Sequence, residues 1–157
     1  MSVLIGPATD SHAADISALI LGLSHYFLTG PDGPDSHSFL STLTPAATAQ
    51  RLRSDEFFYL VAQHQPAPGQ AATVCGVMAL RERHHIYHLF VAAPMHRQGI
   101  ARKLWNHVRE GSPAQAFTVN SSISAVSFYE RLGFRATAPL QTEQGLSFLP
   151  MSFSPGR

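Results

Sequence analysis

The 157-residue chain has one cysteine, Cys75, so it can form no internal disulfide and build no cysteine-rich zinc module. Its setting, Thr73-Val74-Cys75-Gly76-Val77, reads as a strand, and the thiol is expected to be buried and inert. Charge is scarce: Asp, Glu, Lys and Arg make up 13% of the chain, against roughly 25% in ordinary soluble domains. With 11 Lys+Arg against 10 Asp+Glu, the net charge of +1 offers no chain-wide basic field for gripping nucleic acid. No apolar run approaches the roughly 18 residues a membrane span needs; the longest candidate, Ile16 to Leu23, is interrupted by Ser17 and Gly22. No basic stretch followed by an apolar core marks a secretory signal, so a reducing, cytoplasmic setting is expected. Repeats and low-complexity segments are also missing.

What is present suits one domain over residues 1–157, since 45% of the residues are hydrophobic, enough to enclose a core. Val3-Leu4-Ile5 reads as a strand, followed by a helix capped at Asp10 or Ser11 with Ile16, Leu19, Ile20 and Leu23 at helical spacing. Residues 24–44 are dense in turn formers, with a short helical piece near 37–43. Thr44-Pro45 then reads as an N-cap and first helical residue of a helix to about Arg53. Strands are predicted at 57–62, 74–81 and 85–91, a helix at 99–110, a strand at 116–119, a helix at 122–132 closed by Gly133, and a last strand over 145–149 stopping at Pro150. Strands interleaved with helices make this a mixed α/β or α+β domain.

Two constellations carry chemistry. In the first, the strand His85-Ile86-Tyr87-His88-Leu89-Phe90-Val91 leads through a connector into His96-Arg97-Gln98-Gly99-Ile100-Ala101-Arg102-Lys103. A strand feeding a glycine turn that opens a helix presents free N–H groups and the positive end of a helix dipole, which is an anion site. Neither G-x-x-x-x-G-K-[ST] nor G-x-G-x-x-G occurs, which disfavours an NTPase or a dinucleotide enzyme. The second constellation is Asn120-Ser121-Ser122, Ala125 and Phe128-Tyr129-Glu130-Arg131-Leu132-Gly133-Phe134. Read by itself it is an amphipathic helix with a glycine stop, and Tyr129 lines the core.

Together the two resemble the GNAT superfamily of N-acetyltransferases. Leu89-Phe90-Val91 followed by Gly99-Ile100-Ala101 matches its strand and phosphate loop, and the run from Asn120 to Phe134 matches its second cofactor motif. His96 stands where the family usually has Gln or Arg. The resemblance implies an acyl-CoA N-acyltransferase fold, a central mixed but mostly antiparallel sheet flanked by helices, and acetyl-CoA as co-substrate with no metal. It implies cofactor contacts from Leu89, Phe90, Val91, His96, Arg97, Gln98, Gly99, Ile100, Ala101, Arg102, Asn120, Val126 and Tyr129. Pantetheine would add to the edge of Leu89 to Val91 as a strand does.

The resemblance also makes Tyr129 the group that meets the departing thiolate. A phenol near ~10 and a thiol near ~8.5 put complete proton transfer uphill by roughly 2 kcal/mol. Either the surroundings lower that pKa or Tyr129 acts mainly by hydrogen bonding to sulfur. Family members with a base on the strand place it six residues before the Val, which here is His85. Imidazole near ~6.5 takes a proton from an alkylammonium near ~10.4 only at a cost of roughly 5 kcal/mol, but readily from the more acidic ammonium formed after attack. Equally, His85 can be a solvated strand residue.

Strand alternation would put His85, Tyr87 and Leu89 on one face and His84, Ile86 and His88 on the other. His84 and His88 would then be roughly 13 Å apart, too far for one zinc ion. Tyr26, Phe27 and Tyr87 are the candidates for acceptor contact, although Tyr26 and Phe27 would equally well end the first helix in the core. The expected reaction is acetyl transfer to a primary amine of a small molecule by direct attack through a tetrahedral intermediate. The alternatives are a peptide or protein acceptor, and a CoA-binding module without catalysis. The family allows a homodimer; nucleic acid and membrane are not expected partners.

Overall fold

Three consecutive runs rich in β-branched and aromatic residues form the middle of an antiparallel sheet in the computed structural model, which describes residues 2–23, 40–143 and 146–155. These are β2 (Phe57–Gln65), β3 (Thr73–Arg81) and β4 (His85–Val91), with β1 (Ser2–Pro7) along the outer edge of β2. Beyond β4 come β5 (Phe117–Ser122), β8 (Leu146–Phe153) and β6 (Arg135–Ala136), while β7 (Gln141–Glu143) also pairs with β8. Every pairing is antiparallel except that of β4 with β5. The expected mixed, mostly antiparallel sheet flanked by helices is therefore present.

Helices cover both faces. On one lie α1 (Ala13–Gly22) and α2 (Pro45–Arg53), which bury Ile16, Ile20, Tyr59, Val61, Val77 and Ala79. Thr44 caps α2 by accepting the Ala47 N–H at 3.2 Å, with Pro45 at the first helical position as predicted. On the other face lie α3 (Ile100–Gly111) and α4 (Val126–Leu132), over a core that includes Met78, Leu80, Ile86, Leu104, Trp105 and Phe117. A Cβ at Gly76 would meet Ile100 at 3.2 Å, so the glycine lets α3 approach β3.

Several boundaries differ from the sequence reading. The first helix begins as a 3-10 turn, Asp10–His12, capped from Thr9, whose N–H donates to His12 Nδ1 at 3.0 Å. β5 runs on through Ser121 and Ser122, and a 3-10 turn, Ile123–Ala125, precedes α4. The last strand does not stop at Pro150; it continues to Phe153. Proline is tolerated because N and C=O of one residue point to the same side, and on that side Thr137 N–H donates to Pro150 O at 2.9 Å in the gap between β6 and β7.

Candidate active site

Strands β4 and β5 share only two residue pairs, His85 with Thr118 and Ile86 with Val119. After them β5 leaves with β8, pairing Asn120 with Pro150 and Ser122 with Phe148. The backbone edge of β4 from Tyr87 to Val91 is left without a strand partner on that side. A cavity of about 310 Å³ fills the angle, bounded by β4, by Asn120 to Ser122, by Tyr129 and by Phe148. A second of about 280 Å³ shares Leu89, Phe90, Ser122 and Ala125 with it and extends along Val91 to His96. The two form one groove.

A bulge at Tyr87 overturns the simple alternation predicted for β4. Ala79 pairs with His88 and Leu80 with Ile86, which leaves Tyr87 as the extra residue. His88 is thereby shifted onto the face of His85, Tyr87 and Phe90, toward α1 and α2, while Ile86, Leu89 and Val91 face α3 and α4. Tyr87 packs edge-on against Phe57, with the Arg51 guanidinium 5.4 Å from its ring centre. His88 is sealed among Tyr59, Tyr87 and Phe90, and its Nε2 has no hydrogen-bond partner among the described residues. Burial, and then the Arg51 charge, push its pKa down to about 3.

The glycine turn has the predicted form. Gly99 caps α3 in the left-handed region (φ 77°), and Arg97 is also left-handed (φ 66°). No side chain caps this helix, and among the described residues a Cβ at Gly99 would meet nothing within 4 Å, so there is open space beside the turn that starts α3. Arg97, Arg102 and Lys103 are exposed around it. Ile100 is buried under Gly76, so only its main chain is available to a ligand. The His96 ring is turned back to β4, donating from Nε2 to Val91 O at 2.6 Å.

At the other wall Tyr129 is buried between Phe128 and Phe134 and borders the larger cavity. Gly133 (φ 106°) closes α4: its N–H donates to Glu130 O and that of Phe134 to Tyr129 O, which fixes the tyrosine backbone. Burial raises the Tyr129 pKa above the ordinary phenol value. That burial works against the route in which the surroundings lower the pKa.

A family model described as "Acetyltransferase (GNAT) domain" matches residues 27–155. The chain belongs to the GNAT acetyltransferases. It is accordingly an acetyl-CoA-dependent N-acetyltransferase. No curated protein sequence matches it. Among solved structures it is similar to a GCN5-related N-acetyltransferase from Rhodopseudomonas palustris, with a TM-score of 0.75 and 20% identity over 98% of this chain and 96% of that one. It is also similar to the PaiA N-acetyltransferase of Thermoplasma acidophilum in complex with coenzyme A, with a TM-score of 0.75 and 13% identity over 98% and 99% of the two chains. An aminoglycoside 6'-N-acetyltransferase complexed with coenzyme A gives 0.64 and 11% over 96% of each.

In this GNAT chain the groove gathers His85, Tyr87, Leu89, Phe90, Val91, His96, Asn120 and Tyr129. Val126 instead packs against the core and borders neither cavity, and Tyr26 and Phe27 lie outside the described residues. Asn120 alternates with the buried Val119, so it shares the face of Thr118. Burial, then the neighbouring Arg81 and His84, lower the His85 pKa, so its ring is neutral at pH 7. His85 Nδ1 lies 2.8 Å from Thr118 Oγ1. Sequence reasoning passed over Thr118, and also Arg81 and Glu143, which are the only formally charged residues among the described lining of the larger cavity. Strand pairing brings Thr118 to His85 and Arg81 and Glu143 to the cavity, and a local pattern carries no trace of it. Among the described residues there is no cluster of three or more metal-ligating side chains, and no helix is long and apolar enough to cross a membrane.

Proposed function

We propose that this enzyme acetylates a primary amine of a small molecule in the cytoplasm, by direct attack of the amine on the thioester carbon. The observation that carries the reading is the divergence of β4 from β5 after two residue pairs. It leaves an unpaired strand edge, able to hydrogen-bond an amide-containing arm as a neighbouring strand would. The uncapped start of α3, with open space over Gly99, fits a diphosphate. With the coenzyme arm along β4, only the His85 end of the cavity of about 310 Å³ is left for the acceptor, which suits a small amine better than an extended peptide.

Acetyl-CoA supplies the activated acetyl group, and the chain's own residues position it and move protons. A main-chain N–H near Leu89 donates to the carbonyl oxygen as negative charge grows there. His85, neutral at pH 7, receives the proton of the ammonium formed on attack, directly or through water. Tyr129 keeps its proton and acts as a hydrogen-bond donor to the departing sulfur. Glu143 at the mouth supplies a negative charge that favours an approaching ammonium.

The test is acetyl-CoA consumption over a panel of chemically diverse amines and peptides. Turnover is expected with small amines, and Tyr129→Phe should lower kcat by about 10- to 100-fold, since a hydrogen bond to a charged group is worth roughly 1.5–3 kcal/mol. Thermal stability should barely change, because the ring contacts with Phe128 and Phe134 survive. Turnover on peptides alone would overturn the small-molecule assignment. Coenzyme binding without turnover on any amine would overturn catalysis itself.

A further inference from the structure

The contact between His85 and Thr118 determines more than the position of a ring. A neutral imidazole has one N–H and one lone pair, and the partner of one nitrogen selects what the other presents. Nδ1 of His85 meets Thr118 Oγ1 at 2.8 Å, while no described residue engages Nε2, and the histidine borders the larger cavity. Thr118 is held in turn: it is the parallel register partner of His85, and its N–H donates to His84 O at 2.9 Å. The two pairs before the strands diverge thus fix the Thr118 backbone, and its hydroxyl lies within hydrogen-bond distance of His85.

We propose that Thr118 is a positioning residue whose hydroxyl oxygen accepts a hydrogen bond from Nδ1–H of His85 and so leaves the Nε2 lone pair facing the reacting amine. This rests on His85 being the base. The opposite arrangement, with the hydroxyl donating to Nδ1, would put a proton on Nε2 and leave nothing to accept the amine's proton. Once Nε2 is protonated both nitrogens carry N–H, and only an accepting Oγ1 keeps the bond unbroken through the cycle. The charged and titratable groups around the ring among the described residues are Arg81 opposite it on β3, His84 beside it, Tyr87 and His88 on the same face of β4, and Glu143 and Tyr129 across the cavity. None of these is bonded to Nδ1, so the tautomer is left to Thr118.

The experiment uses the full chain labelled with ¹⁵N-histidine, with Thr118→Val and Thr118→Ser beside the parent and His85→Ala. Nitrogen shifts at neutral pH should show His85 protonated at Nδ1 in the parent and in Thr118→Ser, but not in Thr118→Val. With a small-amine acceptor, Thr118→Val should lower kcat about 10-fold, part of the roughly 100-fold or more that a positioned base contributes. KM for acetyl-CoA should stay within about twofold, Thr118→Ser should restore the rate, and Thr118→Val should add nothing to His85→Ala. A parent tautomer with the proton on Nε2 overturns the inference. So does a full rate in Thr118→Val while His85→Ala is slow, and that outcome leaves the base assignment standing. An unchanged rate and pH profile in His85→Ala instead removes the base assignment, and this inference with it.

Discussion

The residue that departs furthest from its usual chemistry is His88. Its ring is fully enclosed, Nε2 has no described partner, and protonation would place a second cation near Arg51. In the unfolded chain the same ring titrates near ~6.5, so between that value and about 3 the unfolded state binds the extra proton. The stabilisation is complete above pH 6.5 and declines as the pH falls toward 3, by up to roughly 5 kcal/mol. Urea unfolding of the parent should show ΔG dropping steeply below pH 6.5. His88→Leu should flatten that slope with little loss at pH 7, since it removes an unsatisfied buried nitrogen along with the ring. An equal acid slope in the variant would mean that other groups carry it. At this scale the sequence offered candidates without their partners. His85 and Tyr129 were legible from motif position, but Thr118 lies 33 residues from His85 and meets it only through strand pairing. The shift of His88 to the other face comes from a bulge that leaves no local periodicity behind it.

At the scale of elements, strands and helices followed their periodicities, and the glycine turn into α3 has the geometry its sequence implied. What escaped was set by neighbours: β6 and β7 are too short to show a pattern, and Pro150 stays in β8 because no ladder partner needs its missing N–H. The turn also separates backbone strain from occupancy. Gly99 is left-handed, which costs an alanine about 1–2 kcal/mol, yet a Cβ there meets no atom of the described residues within 4 Å. Gly99→Ala should therefore lose about 1 kcal/mol of stability. Gly99→Asn should lose less, because asparagine tolerates this region. If a diphosphate uses the space above Gly99, both side chains intrude on it, and coenzyme A affinity measured by calorimetry should fall by about tenfold or more in both. Parent-like affinity in Gly99→Asn would place the phosphates elsewhere.

For the molecule as a whole, sparse charge divides folding from binding. With 11 basic and 10 acidic residues the chain is close to neutral, and the one ion pair among the described residues, Asp10 with Arg53 at 3.5 Å, is exposed and contributes little. Folding rests on the two apolar faces of the sheet, which salt at moderate concentration does not screen. Arg97, Arg102 and Lys103, in contrast, gather at the positive end of α3 where phosphates are expected. Screening shortens from roughly 10 Å at 0.1 M salt to about 3 Å at 1 M, so it should act on the ligand and spare the fold. Raising KCl from 0.05 to 0.5 M should weaken coenzyme A binding several-fold while the Tm of the free protein shifts by no more than about 2 °C. The combined Arg97→Ala, Arg102→Ala and Lys103→Ala variant should lose most of that salt dependence and keep its Tm. A salt-insensitive affinity in the parent would show that the main-chain N–H groups hold the phosphates without help from the surrounding cations. A Tm that falls steeply with salt would show that charge contributes to the fold itself.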